Sequence, residues 1–404
     1  MRWGLEIPDK FGRTTNRPPR DPANPLKNES ANLFEKYGIE KNVRSTGRLE
    51  LALRCGIRLL REIRGEALSL AGMPWTRRLR ALRMGFRSRN ACLYELEGGR
   101  HTLYIPDFAY ALRSYGMNGF LNPIVGNKLV LSQVLEANGI PHPAVLGIIS
   151  RGRAYPMPGG NPSAPLASLV AWTRTGTPLV LRPYWSGAGE GVFFLSRENG
   201  CWFINRHPAP EGDVKELVGG LDRYIVTAFV EQASYSRAIQ PSTTNTLRVL
   251  VLADEAGPFI SSVVHRFGTA RSFPIDNFHQ GVGGLCAAVD TAAGKLGKAV
   301  TLDKNLRRAW HSAHPETGAQ MEGVRVPGLA NALEGVLAAM RCFPEAVCVG
   351  WDLVITDAGF SILEANAPPG LIVFQAHTPL LADSRTARVF ANHGIAVRTP
   401  SRRG

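Results

Sequence analysis

The chain has 404 residues, 44% of them hydrophobic and 20% charged, which is enough for two domains plus an appendage and too apolar for wholesale disorder. No run of about 18 apolar residues occurs, arguing against a membrane span, and the opening MRWGLEIPDKFGRTTNRPPR lacks the apolar core of a secretory signal. Six scattered cysteines without CxxC spacing read as the reduced thiols of a cytoplasmic protein, with neither a disulfide framework nor a zinc site.

In chain order, residues 1–30 are rich in Pro, Asn and charge and are expected to form an irregular arm. Residues 31–120 read as a mainly helical, arginine-rich region. Much of the formal net charge of +14 lies there, with twelve arginines against three acids between Arg44 and Arg89. Such a patch would attract a polyanion, including peripheral contact of 44–89 with an anionic membrane. The plainer reading is a solvated amphipathic helix, with Arg54, Arg58 and Arg61 on one side and Leu53, Ile57 and Leu60 on another. Nucleic acid is not expected, because no recognised binding motif accompanies the charge.

The stretch Lys128–Asn138 has helical spacing and stops at Gly139, followed by Pro141 and Pro143. Short apolar runs at 178–184, 191–196, 201–206, 224–232, 246–254, 259–268 and 284–290 read as strands. A helix is expected over 327–342, and two last strands flank Asp357-Ala358-Gly359. The class is therefore α+β with antiparallel sheets. Within it, 121–223 and 224–404 are expected to form two successive parts.

The strongest chemistry lies in VGWDLVITDAGFSILEANAPPG. If Asp357-Ala358-Gly359 is a three-residue hairpin loop, Thr356 pairs with Phe360, Val354 with Ile362 and Asp352 with Glu364. Directly opposed residues have Cβ atoms about 5 Å apart, where like charges repel. Asn366 lies two residues beyond Glu364 and shares its face. Two inward carboxylates need a shared proton or a cation, and with an amide oxygen they suit Mg²⁺. A slipped register would keep the acids apart.

Between two of the strands lies Ser186-Gly187-Ala188-Gly189-Glu190-Gly191, whose alternate glycines let backbone N–H groups approach phosphate oxygens. It lacks the GK[ST] ending of a Walker loop and precedes a strand, so it reads as a lid on a hairpin. Arg182 lies four residues earlier with a fork of donors suited to phosphate. Lys128 is either a solvated helix-start lysine or a second phosphate contact. Arg248 shares a half-buried strand face with Thr246 and Leu250 and needs an anionic partner, either transferred phosphate or a structural acid. In Asp276-Asn277-Phe278-His279-Gln280-Gly281, His279 would serve as a general base or substrate contact, although a lone loop histidine often does neither.

Together, the lysine, the Arg-Pro with its Gly-rich loop, YIVTAFVEQ, NTLRVLV, DNFHQGVGG and the last hairpin resemble the ATP-grasp superfamily over about 115–385. The likeness is in particular to its sugar-transfer-associated and α-L-glutamate-ligase-like branch. The resemblance implies an ATP-grasp fold, with ATP clasped between two α+β subdomains. It implies Lys128 and Arg182 as phosphate-binding cations and Ser186, Gly187, Ala188, Gly189 and Gly191 in the mobile loop. Backbone groups of Ala228, Phe229 and Val230 would form the adenine hinge, and Glu231 the ribose contact. Arg248 becomes the transition-state arginine, and Asp352, Glu364 and Asn366 ligate Mg²⁺, or Mn²⁺ in its place. Arg182 departs from the lysine of many members, keeping the charge but changing the donor geometry.

The implied function is ATP-dependent activation of a carboxylate as an acyl phosphate for attack by an amine or related nucleophile. The acceptor would be a small molecule, glycan or peptide. The alternatives are phosphoryl transfer to a sugar hydroxyl and a non-enzymatic polyanion-binding scaffold. Neither the acceptor nor the oligomeric state is legible.

Overall fold

A computed structural model describes residues 46–68, 73–174, 176–185, 189–273, 275–278, 283–303 and 305–395. The chain divides into two compact units, 1–50 and 51–404. Of the first, only the start of one helix is described. The expected arm at 1–30 lies outside the described residues, as do Ser186, Gly187, Ala188 and His279.

The arginine-rich region is mainly helical where described, with irregular stretches between Met84 and Pro106. It contains α1 (Thr46–Leu68), α2 (Trp75–Arg83) and α3 (Asp107–Asn118). The next helix, α4 (Lys128–Ala137), starts at Asn127, whose side chain caps it by accepting from Leu129 N at 3.0 Å and Val130 N at 3.2 Å. Helices α5 (Pro165–Trp172), α6 (Glu211–Gly219), α7 (Leu329–Arg341) and α8 (Ser384–Asn392) follow among the strands.

Two antiparallel sheets carry the rest. The first contains β1 (Val145–Ser150), β2 (Arg153–Pro156), β3 (Leu179–Pro183), β4 (Phe193–Glu198), β5 (Cys201–Ile204), β6 (His207–Ala209) and β7 (Tyr224–Ala228). Its order is β2-β1-β7-β3-β4-β5-β6. Leu179, Leu181, Leu195 and Val226 pack there against Leu169 of α5 and Val214 and Val218 of α6. The sheet thus reaches past the expected division at 223/224, because β7 pairs with both β1 and β3. The chain crosses to the second sheet only after Ala228.

The second sheet contains β8 (Leu247–Asp254), β9 (Gly257–Phe267), β10 (Leu285–Asp290), β11 (Lys295–Leu302), β12 (Arg308–His311), β13 (Cys348–Thr356) and β14 (Gly359–Asn366). They are ordered β12-β11-β10-β9-β8-β13-β14. Both faces are covered, which explains why TLRVLVLAD is almost continuously apolar. Val249 and Val251 pack with Leu131 of α4 and Val336 of α7. The alternate residues Leu250 and Leu252 pack with Phe86, Tyr94, Tyr110 and Phe390. The helical region therefore shares a core with the sheet. Asn118, ending α3, fixes it there by accepting from Val347 N and Cys348 N at 2.8 and 2.9 Å and donating to Cys348 O at 2.7 Å.

His265 of β9 lies buried beside the site strands. It stacks on Phe267 with centroids 4.2 Å apart, its Nδ1 lies 3.1 Å from Arg266 O, and its Nε2 lies 2.8 Å from the Tyr235 hydroxyl. A carbonyl only accepts, so Nδ1 donates to it and the neutral ring accepts from Tyr235. Burial, reinforced by Arg266, pushes its pKa down to about 3. Below about pH 6.5 the unfolded chain therefore binds a proton that the folded chain refuses, and stability falls as pH falls. Denaturant unfolding of the protein and of His265→Gln should show the parent's advantage shrinking by about 2 kcal/mol between pH 6.5 and 5. A difference that stays constant with pH would contradict this account.

Candidate active site

The hairpin reaches its expected meeting of acids by a route the sequence does not reveal. Its loop has two residues, Asp357 and Ala358, so Thr356 pairs with Gly359, Ile355 with Phe360 and Leu353 with Ile362. These pairs are one residue out of the expected register, in which Thr356 met Phe360 and Val354 met Ile362. A bulge at Leu363 then takes up one residue and restores Asp352 opposite Glu364. Asn366 brings its Nδ2 to 3.4 Å from both Asp352 Oδ2 and Glu364 Oε1. Among the described residues no group of three or more His, Cys, Asp or Glu side chains suits a metal ion. The set here is two carboxylates and an amide.

Cations surround the two acids. Arg248 lies directly across from Asp352 on β8 and grips it with both arms of its fork, Nε lying 2.6 Å from Oδ1 and Nη2 donating to Oδ2. Arg266 of β9 donates to Asp352 Oδ2 at 3.2 Å. Lys128, buried at the start of α4, places Nζ 3.2 Å from Glu364 Oε2. Arg182 of β3 donates through Nη1 to the carbonyl of bulged Leu363 at 3.0 Å. Its buried Nε has no hydrogen-bond partner.

The ionisation balance follows from this crowding. Burial opposes the charge on Glu364, yet Lys128, a hydrogen bond with Asp352, Arg248 and Arg182 hold it well below the usual carboxylate range. Burial pushes Asp352 up against the pull of Arg248 and Arg266. Burial also lowers Arg182, with Glu364 opposing. For Arg248, burial is outweighed by Asp352, Glu364 and Asp276, and its pKa rises.

Two residues that sequence reasoning did not single out complete the group. Asp276 accepts from Thr246 N at 2.7 Å and Thr246 Oγ1 at 2.6 Å, and it lies 3.4 Å from Arg266 Nη2. Arg266 itself donates to Thr246 Oγ1. The available signal was Arg266 itself, a charged residue in the strand-like run FISSVVHRFG.

Apart from Lys128, these side chains line a cavity of about 280 Å³ between the sheets. Its apolar wall includes Val180, Phe194, Phe229, Val230 and Leu363, and Phe194 meets Phe229 edge to face at 5.9 Å. Ala228 and Phe229 donate their amides to Ala144 O and Pro178 O, each at 2.9 Å. Glu231 is exposed and pairs with Arg237 at 3.3 Å; it does not line the cavity. Of the loop residues described, Gly189 and Gly191 have φ of +72° and +71°. A Cβ on Gly189 would fall 2.1 Å from Ile275 Cδ1. The positive φ favours glycine there, and a Cβ would push the end of the Ile275 side chain aside.

A smaller cavity of about 140 Å³ adjoins the first, with Gly370 and Ile372 lining both. Arg58, Glu62, Arg87, Arg89, Asp107 and Tyr110 line its far side. Burial draws Arg89 down to about 10 and pushes Asp107 up to about 7, the latter despite hydrogen bonds from Arg87 N and Asn90. Positive charge therefore predominates in this pocket.

The sequence model of the sugar-transfer associated ATP-grasp family matches residues 111–386. No curated protein matches the chain. Among solved structures, D-alanine–D-alanine ligase from Bacillus anthracis has 14% identity over 71% of this chain and 70% of its own, with a TM-score of 0.37. N5-carboxyaminoimidazole ribonucleotide synthetase from Thermotoga maritima has 16% identity over 61% of this chain and 43% of its own, with a TM-score of 0.31. L-amino acid ligase from Bacillus licheniformis has 10% identity over 67% of this chain and 48% of its own, with a TM-score of 0.34. The chain thus spans about half the length of the last two.

The pairing of Asp352 with two guanidinium groups makes it the keystone of the cleft. Asp352→Asn leaves Arg248 and Arg266 buried without that counter-charge and should cost about 3 kcal/mol in urea unfolding. A loss below about 1 kcal/mol would mean that the arginines find other partners.

Proposed function

This chain belongs to the sugar-transfer associated ATP-grasp family, and on that premise we propose a magnesium-dependent, ATP-using ligase that activates a carboxylate for attack by an amine or related nucleophile. The observation that carries the reading is the convergence of Asp352, Glu364 and Asn366, ringed by Lys128, Arg182, Arg248 and Arg266.

The nucleotide base fits the apolar wall of Val180, Phe194 and Phe229, beside the hinge Ala228–Val230. The unpartnered Nε of Arg182 suits a phosphate oxygen. The loop containing Gly189 and Gly191 would close over the phosphates. Asp352, Glu364 and Asn366 would hold Mg²⁺, or Mn²⁺, with the Asn366 amide turned to offer Oδ1. Two carboxylates with an amide match the preference of a hard cation for oxygen. When bound, such an ion neutralises charge developing on the phosphates.

The acid substrate's carboxylate oxygen attacks the γ-phosphorus and ADP departs, leaving an acyl phosphate. The nucleophile then adds to the acyl carbon and expels phosphate. Arg182 and Arg248 neutralise negative charge as the phosphoryl group moves, and low-dielectric surroundings strengthen that effect. A carboxylate or phosphate on the second substrate fits the arginine-lined pocket beside Gly370 and Ile372. The six unpaired cysteines suit a reducing cytoplasm.

The test combines enzyme, ATP, Mg²⁺ and candidate acids with hydroxylamine. A hydroxamate is expected, and Arg182→Ala should lower its rate about 100-fold or more. ATP turnover without any hydroxamate would reject acyl activation. The family's association with sugar transfer favours, as a second reading, phosphoryl transfer to a glycan hydroxyl, which ³¹P NMR would reveal as a phosphate monoester. If Asp352→Asn with Glu364→Gln left function intact, only the scaffold reading would survive.

The second pocket makes a separate prediction. Arg89→Gln should raise the KM for the anionic second substrate roughly tenfold while ADP affinity, followed by calorimetry, stays unchanged. An unaltered KM would remove that pocket from the substrate path.

A further inference from the structure

Helix α1 buries Cys55 and half-buries Leu59, yet it also turns acids inward and leaves an apolar stripe outside. Two of its acids turn inward. Glu66 is buried, accepts from Ser88 N at 2.9 Å and pairs with Arg78 Nε at 3.0 Å, while Glu62 pairs with Arg87. The opposite face presents Leu53, Ile57 and Leu60, which are 62%, 48% and 65% exposed. Their i, i+4, i+7 spacing makes one stripe. An ordinary amphipathic helix would turn that stripe into the core. Arg61 and Arg64 are exposed alongside it.

Helix α2 repeats the pattern. Trp75 is 74% exposed and Leu79, one turn on, is also exposed, with Arg77, Arg80 and Arg83 outward. Its inward residues are Ala81 and Arg78, and the ion pair of Arg78 with Glu66 ties the two helices together. No described helix is long and apolar enough to cross a membrane.

We propose that α1 and α2 dock on the surface of an anionic lipid bilayer. Leu53, Ile57, Leu60 and Trp75 enter the boundary between headgroups and acyl chains, and Arg61, Arg64, Arg77, Arg80 and Arg83 meet the lipid phosphates. Apolar side chains flanked by arginines, with an indole among them, match the layered polarity of that boundary. Each such cation strengthens attraction to an anionic surface. Charge selects this occupant over a second copy of the chain. A symmetric contact would set the same five exposed arginines against themselves. A nucleic acid would match the arginines but leave the apolar stripe unburied.

Vesicle flotation of the full-length protein tests the proposal independently of its catalytic activity. Binding is expected to vesicles of phosphatidylcholine with phosphatidylglycerol, not to phosphatidylcholine alone, with release by high salt. The triple variant Leu53→Ser, Ile57→Ser, Leu60→Ser should bind roughly tenfold less, as should Arg61→Gln with Arg64→Gln. Both variants should retain the parent's melting temperature and ADP affinity. Absent or equal binding to the two vesicle types overturns the proposal, and so does undiminished binding by the arginine variant. Self-association that the triple variant abolishes, without vesicle binding, would assign the face to a second copy and overturn it as well.

Discussion

Asp352 and Glu364 face each other across neighbouring strands in a largely buried cleft, and the surrounding cations make that arrangement tolerable. Uncompensated buried charge costs several kcal/mol, so each acid dictates what stands beside it. Arg248 and Arg266 answer Asp352 from the same sheet. Lys128 answers Glu364 from a helix, and Arg182 approaches from the other sheet. The four cations exceed the three acids Asp276, Asp352 and Glu364 by one, leaving the cleft receptive to a polyanion. An added divalent cation would increase that receptivity.

The charge network also explains features that look like packing alone. Lys128 can be buried because Asn127 caps its helix and Glu364 meets its ammonium. The helical region is held to β13 through Asn118, so the cleft's floor and the arginine-lined pocket share one support. Polar contacts of this kind fix geometry more than they add stability.

Much of this was legible in the sequence, although for uneven reasons. The opposition of Asp352 and Glu364 was read from an incorrect turn length, and the reading survived because the bulge at Leu363 cancels the one-residue error. Period-2 patterning determines a face but cannot count a bulge. Arg248 stood out as a charge in an apolar strand, whereas Arg266 escaped because its partners Asp276 and Thr246 are distant in sequence or uncharged. Strands β1, β2, β6, β11 and β12 were also missed. His207-Pro208-Ala209 is short and contains proline, and KLGKAVTL mixes lysine and glycine with its apolar residues. The carboxylate of Glu231 turns outward to Arg237. The inward acids of α1 were invisible because a helical wheel shows which residues share a face but not which face meets the protein.

The bulge at Leu363 separates two jobs that a plain hairpin would perform together. Beyond it toward the turn, pairing is set by Asp357 and Ala358. On its other side, alignment is anchored by the pairing of Asp352 with Arg248 on β8 and by the carbonyl held by Arg182. The tip is pinned separately, Asp357 Oδ1 accepting from Ser234 N at 2.8 Å and Ser234 Oγ at 3.0 Å, so its anchorage and the alignment of Asp352 with Glu364 rest on different contacts.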